Sequence, residues 1–404
     1  MKILVLNCGS SSIKYQLIQV KSKSETKLMA KGQIERIGLT DSVLTHKPAD
    51  KPKLAFVQSV PDHSVGINII LSTLTDANHG VIESLNEIAA AGHRVAHGGE
   101  YFKDSAIVTP LVKQQIENCF ELAPLHNPAN LKGILSIEKL LPTIPQVAVF
   151  DTSFHQTMPM ETYLYAIPYK YYEEFRIRRY GFHGTSHKFV AQKACDMLGL
   201  EFEKSKIITC HIGNGASVTA IKDGKSFDTS MGFTPVDGLM MGTRCGAIDS
   251  GVVLYIMDKE GLTTQKANDL INKQSGLLGI SGVSSDMRDV KGAAANGNEK
   301  AQLALRMFIA RLKRFIGSYM AELEGADAIV FTGGIGENED FIRKGACEGL
   351  EFMGVDFDNQ ANDGMREDAV ISKPNSRVKV VVACTDEELV IAQDTFRLLR
   401  KRPE

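Results

Sequence analysis

Short apolar runs alternate along this chain with longer stretches of helical period, the pattern of an α/β protein. Residues 2–6 (Lys-Ile-Leu-Val-Leu) predict a buried strand, and residues 13–20 a second one that alternates more clearly. The polar run Asn7-Cys8-Gly9-Ser10-Ser11-Ser12 joins them as a hairpin tip. Beyond it the pattern predicts a helix over 81–91 and a short strand over 93–97 that ends in Gly98-Gly99. Helices follow over 111–122 and 128–141, the second with Asn127 as N-cap and Pro128 at its first helical position. A strand over 146–150 stops at Asp151.

The second half repeats the theme. A strand over 206–210 runs into His211-Ile212-Gly213-Asn214-Gly215-Ala216-Ser217 and a further short strand. Residues 298–324 predict a long helix, and 328–331 a strand entering Gly333-Gly334-Ile335-Gly336-Glu337-Asn338 and a helix. A strand over 378–383 and a closing helix over 385–401 complete the pattern. Each half thus opens with strand, Gly/Ser turn and strand, a weak duplication at a spacing of roughly 200 residues, too long for a solenoid. The expectation is two similar α/β domains facing each other across a cleft. The first covers 1–150, with the closing segment 387–404 packing back on it, and the second covers 151–386.

Composition narrows the class. A chain of 404 residues suits two domains at about 150 residues each and buries a core without disulfide or metal staples. Lys plus Arg number 46 against 48 Asp plus Glu, a net charge of -2, which disfavours a dedicated nucleic-acid binder. Seven scattered cysteines with no C-x-x-C pair form neither a disulfide framework nor a zinc site, and suit a reducing cytosol. The apolar stretch at 3–6 is too short for a signal-peptide core, and no long apolar window reads as a membrane span. A soluble cytoplasmic protein is expected. The 35 glycines exceed the usual share and are clustered.

Three of those clusters follow predicted strands. The run Asn7 to Lys14 offers backbone N–H groups, three hydroxyls and a lysine, either an anion-binding nest or a hairpin tip turned to water. The turns at 211–215 and 333–338 carry the same ambiguity singly, but three matched turns at strand ends argue for phosphate cradles. The G-x-x-x-x-G-K-[ST] spacing of a P-loop is absent, and no G-x-G-x-x-G opens a helix in an N-terminal βαβ unit.

Taken together these segments resemble a known family. Asn7-Cys8-Gly9-Ser10-Ser11-Ser12-Ile13-Lys14 is similar to the N-terminal signature of the acetate, propionate and butyrate kinases. Arg179-Tyr180-Gly181-Phe182-His183-Gly184-Thr185-Ser186-His187 resembles their second signature. Further matches are His93 to Glu100, Pro124 to Pro128, Val149 to Thr152, Met241 to Arg244, and Phe331 to Asn338, so the likeness covers essentially the whole chain. The resemblance implies two ribonuclease-H-like domains, the duplication of actin-like ATPases, with a nucleotide cleft between them. It also implies reversible phosphoryl transfer from ATP to acetate, giving ADP and acetyl phosphate, with propionate accepted as well. The implied cofactor is Mg²⁺, with Mn²⁺ as an alternative. The implied partners are acetate and ATP, and a second copy of the chain joined through the C-terminal domain, with no nucleic acid and no membrane.

Site roles follow from the same resemblance. Arg94, Asp151, His183 and Arg244 are the implied catalytic residues; Arg94, Ala96, Leu125, Phe182 and Pro235 the implied acid-binding ones. Ser10 and Ser12 belong to a phosphate loop, and Asn7 and Glu387 would hold the metal, although Glu387 also reads as a first-turn acid favoured by the helix dipole. Lys14, His211, Ile212, Gly213, Asn214 and Gly215 would surround the phosphates. Asp286, Met287, Arg288, Gly334, Ile335, Gly336, Glu337 and Asn338 would hold ribose and adenine. The family role of the aspartate is proton transfer. Chemistry argues otherwise: a carboxylate nucleophile with a pKa of roughly 4 to 5 is already ionised at neutral pH, so Asp151 should orient Arg94 or Arg244.

Departures from the family pattern matter in three places. The usual Thr-Arg-Ser-Gly-Asp-Ile-Asp-Pro-Gly is Thr243-Arg244-Cys245-Gly246-Ala247-Ile248-Asp249-Ser250-Gly251, losing an acid and a proline that would stiffen the loop. Asn-Glu-Glu becomes Asp386-Glu387-Glu388, and Ala96 stands where acetate-specific members often carry valine. The rival enzyme reading is a propionate kinase. Non-catalytic ATP-driven machines of the same fold are the other class; they would not gather Arg94, Arg244 and His183, and no peptide-binding domain is expected after the last helix.

Overall fold

The computed structural model describes residues 1–22 and 24–400, so the last four positions of the expected closing segment 387–404 lie outside the described residues. The chain divides into two compact units, Met1–Ser153 with Asp386–Glu404, and Phe154–Thr385. The division falls after Ser153, which leaves Asp151 with the strand it terminates and not with the second domain.

The first unit is built on eight strands: β1 (Lys2–Cys8), β2 (Ser12–Val20), β3 (Thr26–Glu35), β4 (Ser42–Pro48), β5 (Leu54–Gln58), β6 (Ile88–Val95), β7 (Ala106–Ile107) and β8 (Gln146–Phe150). Their order is β5-β4-β3-β2-β1-β6-β8-β7. β1, β2 and β3 pair antiparallel, while β6 runs parallel to both β1 and β8. Successive residues of β1 serve opposite faces. Leu4 and Leu6 pack with Ile67, Ile70 and Leu74 of the helix His63–Leu74 and Ile137 of the helix Asn127–Leu140. Ile3 and Val5 pack with Ile391, Ala392 and Phe396 of the closing helix Glu387–Arg400. Burial on both faces is why β1 reads as a continuous apolar run.

The second unit holds β9 (Lys206–Ile212), β10 (Ala216–Lys222), β11 (Lys225–Thr229), β12 (Ala328–Thr332), β13 (Ala369–Val370) and β14 (Lys379–Val382), in the order β11-β10-β9-β12-β14-β13. Again three antiparallel strands are followed by two parallel to the first. The five-strand core β3-β2-β1-β6-β8 is therefore repeated as β11-β10-β9-β12-β14. The long helix Glu299–Glu322 covers one face through Phe308, Leu312 and Ile316, as its apolar spacing predicts. The helix Gly184–Leu198 covers the other through Val190, Ala191 and Ala194.

Two local expectations fail. The helix expected over 81–91 is a single 3-10 turn, Leu85–Glu87, closed by a capping box from Ser84 to Glu87, after which the chain enters β6. Ile88-Ala-Ala-Ala-Gly is apolar at every position because β6 is a central parallel strand, and such a run has no period to separate strand from helix. The helix expected to start at Pro128 has His126 at its N-cap position and Asn127 inside its first turn. Asn127 is engaged elsewhere, accepting from the His97 N–H at 3.0 Å and donating to the His97 carbonyl at 2.8 Å. Among the described residues no helix is long and apolar enough to cross a membrane.

Candidate active site

In the first unit the candidate residues collect at the ends of adjacent strands. Arg94, next to last on β6, donates from Nε to both oxygens of Asp151 at 3.1 Å and from Nη2 to Oδ2 at 2.7 Å. Its Nη1 reaches Oδ1 of Asn7, near the end of β1, at 3.3 Å. Asp151 is 3 % exposed and follows the last residue of β8. Its charge, and the hydrogen bonds with it, push the Arg94 pKa up against the opposing effect of burial, so Arg94 stays cationic. Glu387, first residue of the closing helix, lies within electrostatic range of Arg94, Asp151 and Lys14. Burial pushes its carboxyl pKa up, and Asp151 and Asp386 push the same way against the two cations.

The hairpin tip is held from below. Gly9 N–H closes the turn onto the Ser12 carbonyl at 2.8 Å, and the Ser11 carbonyl accepts from Ile37 at 2.9 Å. Ser10 is exposed, Ser12 half-buried, and Lys14 points outward from β2 opposite Asn7. Asn130, buried in the helix Asn127–Leu140, donates to the Cys8 carbonyl at 2.7 Å and accepts from the Ala96 N–H at 3.0 Å. One amide thus fixes the end of the strand bearing Asn7 to the residue two beyond Arg94. Ala96 is buried, whereas Leu125 is 62 % exposed.

In the second unit His183 has φ 55°, the left-handed region, at the residue before the helix Gly184–Leu198. That conformation costs a non-glycine residue roughly 1–2 kcal/mol. Its Nδ1 lies 2.9 Å from Oγ of Ser217, which also meets Nε2 of buried His187 at 2.7 Å. Burial holds the His187 pKa well below the usual histidine range, so it serves as a neutral strut. The His183 ring stacks on His211 at 4.3 Å, and His211 Nδ1 is fixed by Ser186 Oγ at 2.8 Å. Phe182 belongs to the core of this unit, and its carbonyl meets Nε2 of His155 at 2.9 Å.

Arg244 is delivered by a loop tied down through its backbone. Met241 N–H bonds the Arg244 carbonyl at 3.1 Å, and Ser275, Leu277 and Leu278 donate to Thr243, Met241 and Gly242 at 2.9–3.0 Å. Gly242 in turn donates to the Asn214 carbonyl at 3.0 Å, and a Cβ there would overlap the Asn214 side chain. These backbone bonds tie the loop down although the family pattern's acid and proline are absent. A Cβ at Gly215 would stand 3.4 Å from Arg244 Nη1 and 3.7 Å from His183 Nε2, so both side chains reach over that glycine. The guanidinium meets the Met241 sulfur at 3.7 Å and, among the described residues, no carboxylate. Burial alone pulls its pKa down.

The nucleotide-facing candidates divide in use. The short helix Gly333–Asn338 follows β12, with Gly333 at φ 79° and backed against Ile212. Ile335 is half-buried, Gly336 buried, and Asn338 donates to the Gly334 carbonyl at 2.9 Å. Glu337 Oε1 is engaged inside the unit, accepting from the N–H groups of Gly333 at 2.9 Å and Thr385 at 3.0 Å. Asp286 and Arg288 bond each other, Nη2 to Oδ2 at 2.6 Å, which draws the Asp286 carboxyl down to about 2, while Met287 is buried. Pro235 is half-buried in a segment whose Gly232 carbonyl accepts from Tyr180 at 3.1 Å.

Some residues that shape the site have a role that the sequence alone does not assign. Fully buried Arg343 donates to the carbonyls of Gly336, Glu337 and Met365 and to Asn362, closing the open end of the 333–338 helix without a carboxylate. Arg179 donates from Nη1 to the Thr229, Ser230 and Met231 carbonyls at 2.7–3.2 Å, steadying the segment that leads to Pro235. Asn130 shows only as one asparagine three residues after another on a helix, a spacing that shares a face.

Among the described residues no group of three His, Cys, Asp or Glu side chains is arranged to hold a metal ion. The set Asn7 and Glu387 still fits Mg²⁺, which takes one or two protein oxygens and completes its shell with water and phosphate. A half-buried carboxyl disfavoured by burial and by neighbouring acids is a group that a divalent cation would stabilise.

The family model described as the acetokinase family matches residues 2–393. An acetate kinase of Bacteroides fragilis is 55 % identical over 401 residues, 99 % of this chain and 100 % of that one. The crystal structure of Porphyromonas gingivalis acetate kinase superposes with a TM-score of 0.95 at 52 % identity, covering 98 % of this chain and 99 % of the other. A propionate kinase from Francisella tularensis gives 0.90 at 43 % identity over 98 % of this chain and 99 % of its own.

Proposed function

The chain belongs to the acetokinase family, and on that footing we propose that it works as an acetate kinase, transferring the γ-phosphoryl group of ATP to acetate. It is a phosphotransferase with a carboxyl group as acceptor. The observation that carries the mechanistic reading is the pair of side chains over Gly215: a desolvated guanidinium without a carboxylate partner beside an imidazole whose Nδ1 is already anchored. Such a pair calls for an anion.

In the forward direction an acetate oxygen forms a bond to the γ-phosphorus while the bond from that phosphorus to the β-bridging oxygen breaks, its electron pair leaving on ADP. The acid arrives ionised, so no proton moves, and the reaction runs either way. What remains for the protein is to position two anions and to stabilise spreading charge. Arg94, held by Asp151, offers its remaining N–H groups to the acid's carboxylate and the phosphoryl group, while Arg244 and His183 donate to phosphoryl oxygens. The turns 211–215 and 333–338 are the proposed nucleotide-binding segments, and Lys14, Ser10 and Ser12 are proposed to contact phosphate. Asn7 and Glu387 would hold Mg²⁺, or Mn²⁺ in its place, which would neutralise phosphate charge. Seven free cysteines fit a cytoplasmic setting.

Propionate should also be taken. Ala96 is buried just past β6, and alanine is two methyl groups smaller than the valine that acetate-specific members often carry. The propionate kinase likeness supports this. Assembly as a homodimer through the second unit is supported by the helix Ser250–Glu260, which buries none of its residues and exposes Leu254 and Tyr255 by 65 % and 63 %.

With ATP, Mg²⁺ and acetate, hydroxylamine trapping should yield acetyl hydroxamate in step with ADP; ADP without hydroxamate would remove the carboxylate-kinase reading. Asp151→Asn should lower kcat by roughly 10- to 100-fold through a misplaced Arg94 and leave any basic limb of the pH–rate profile in place. Loss of that limb would make Asp151 a proton carrier. Ala96→Val should cut the propionate-to-acetate ratio of kcat/KM by roughly tenfold, the worth of one methylene in a fitted pocket; an unchanged ratio would clear Ala96 of any role in acid selection. Light scattering should give twice the chain mass, and a monomer after Leu254→Glu with Tyr255→Glu. A monomeric parent would dismiss the dimer.

A further inference from the structure

β6 crosses the middle of the first sheet, yet it carries a glycine two residues before Arg94. Glycine in a strand interior weakens the strand and marks a close approach by another backbone. Gly92 and Arg94, two apart, face the same side of the sheet. That is the side covered by the closing helix, as Ala90 on the same stripe shows by packing with Ile391, Ala392 and Phe396. A Cβ at Gly92 would stand 2.6 Å from Cγ2 of Ile391, 2.6 Å from Oγ1 of Thr395 and 3.4 Å from the Ile391 carbonyl oxygen. Both near atoms branch directly at Cβ, so neither is the far end of a flexible chain. The Thr395 hydroxyl is further held by the Ile391 carbonyl at 2.7 Å, and Thr395 is fully buried.

On the helix, Glu387, Ile391 and Thr395 are spaced by four and form one stripe. Ile391 and Thr395 rest on Gly92, and one turn earlier Glu387 comes within electrostatic range of Arg94 and Asp151. Two stripes, one on β6 and one on the closing helix, therefore run side by side with the glycine at their closest point.

We propose that Gly92 is a positioning residue: lacking a side chain, it lets the closing helix settle onto β6 at the height that puts the Glu387 carboxyl beside Arg94. This rests on the reading that Glu387 is a ligand to the divalent cation. A methyl group at position 92 would lift or tilt the helix, carry Glu387 away from Arg94 and Asp151, and weaken the cation site while leaving the nucleotide turns of the second unit untouched.

Mn²⁺ serves as the probe, with free Mn²⁺ read by electron paramagnetic resonance in the presence of the full-length protein and saturating ADP. Gly92→Ala should raise the Mn²⁺ dissociation constant by roughly tenfold or more, the scale on which supporting residues act on metal sites. The affinity for ADP measured without metal should be unchanged. Adding Ile391→Leu and Thr395→Ala removes the two atoms that the new methyl meets, and Mn²⁺ affinity should return. Unchanged Mn²⁺ affinity in Gly92→Ala overturns the proposal, as does a loss that the two relieving substitutions fail to repair. Should Gly92→Ala not fold, Thr395→Leu presses on the same contact from the helix side and is judged by the same two outcomes. Glu387→Gln separates the underlying reading: if it binds Mn²⁺ like the parent protein, Glu387 is no ligand, whatever Gly92 does.

Discussion

A carboxylate buried to 3 % exposure has to be matched by a cation, and in the first unit Asp151 is matched by Arg94 through three contacts no longer than 3.1 Å. Taking away one member of a buried pair leaves an uncompensated charge and costs about 3–5 kcal/mol. The match is possible only because β1, β6 and β8 lie side by side, run parallel and stop at one level. Val95 of β6 is paired with Phe150 of β8, so the residues around that level, Arg94 and Asp151, come into reach. A register slip by one residue would turn Arg94 to the other face. The same level puts Asn7 of β1 against the guanidinium. The hairpin tip, the helix bearing Asn130 and the closing helix are then each fastened to one of these strand ends.

That dependence explains what could be read along the chain and what could not. The strands β1, β8, β9 and β12 were visible because central strands are short apolar runs ended by Gly, Ser or Asp. The turns after them were visible because small residues mark places where backbone must stay open. The span 81–91 misled because an alanine-rich central strand has no polar face to set a period. Asn127 misled because its side chain serves a partner thirty positions away instead of its own helix. Candidate residues with a polar identity and a glycine one or two positions away, such as His183 and Arg244, were legible as candidates. The groups that hold them still were not: Ser217 behind His183, Ser275 to Leu278 behind the Arg244 loop, Arg343 behind the 333–338 turn. Each is an ordinary residue type whose meaning appears only once a distant segment is packed against it.

The two arginines are prepared in opposite ways, and the chemistry gives a reason. Arg94 is paired in advance: Asp151 supports its charge and orients its plane. On the proposed mechanism, a residue in that state selects by geometry, which suits recognition of a small carboxylate, one oxygen of which must lie in line with the phosphorus and its leaving oxygen. Arg244 is left with its burial unpaid. Its proton cannot be shed at neutral pH, so the cost of desolvation persists until an anion supplies the missing field. An interaction of that kind grows with the charge that arrives, and a transferring phosphoryl group presents more of it than an acetate ion does. On the proposed mechanism the strained φ of His183 serves the same end, since an imidazole fixed by Ser217 and His211 would have little reorganising left to do as charge builds on phosphoryl oxygens.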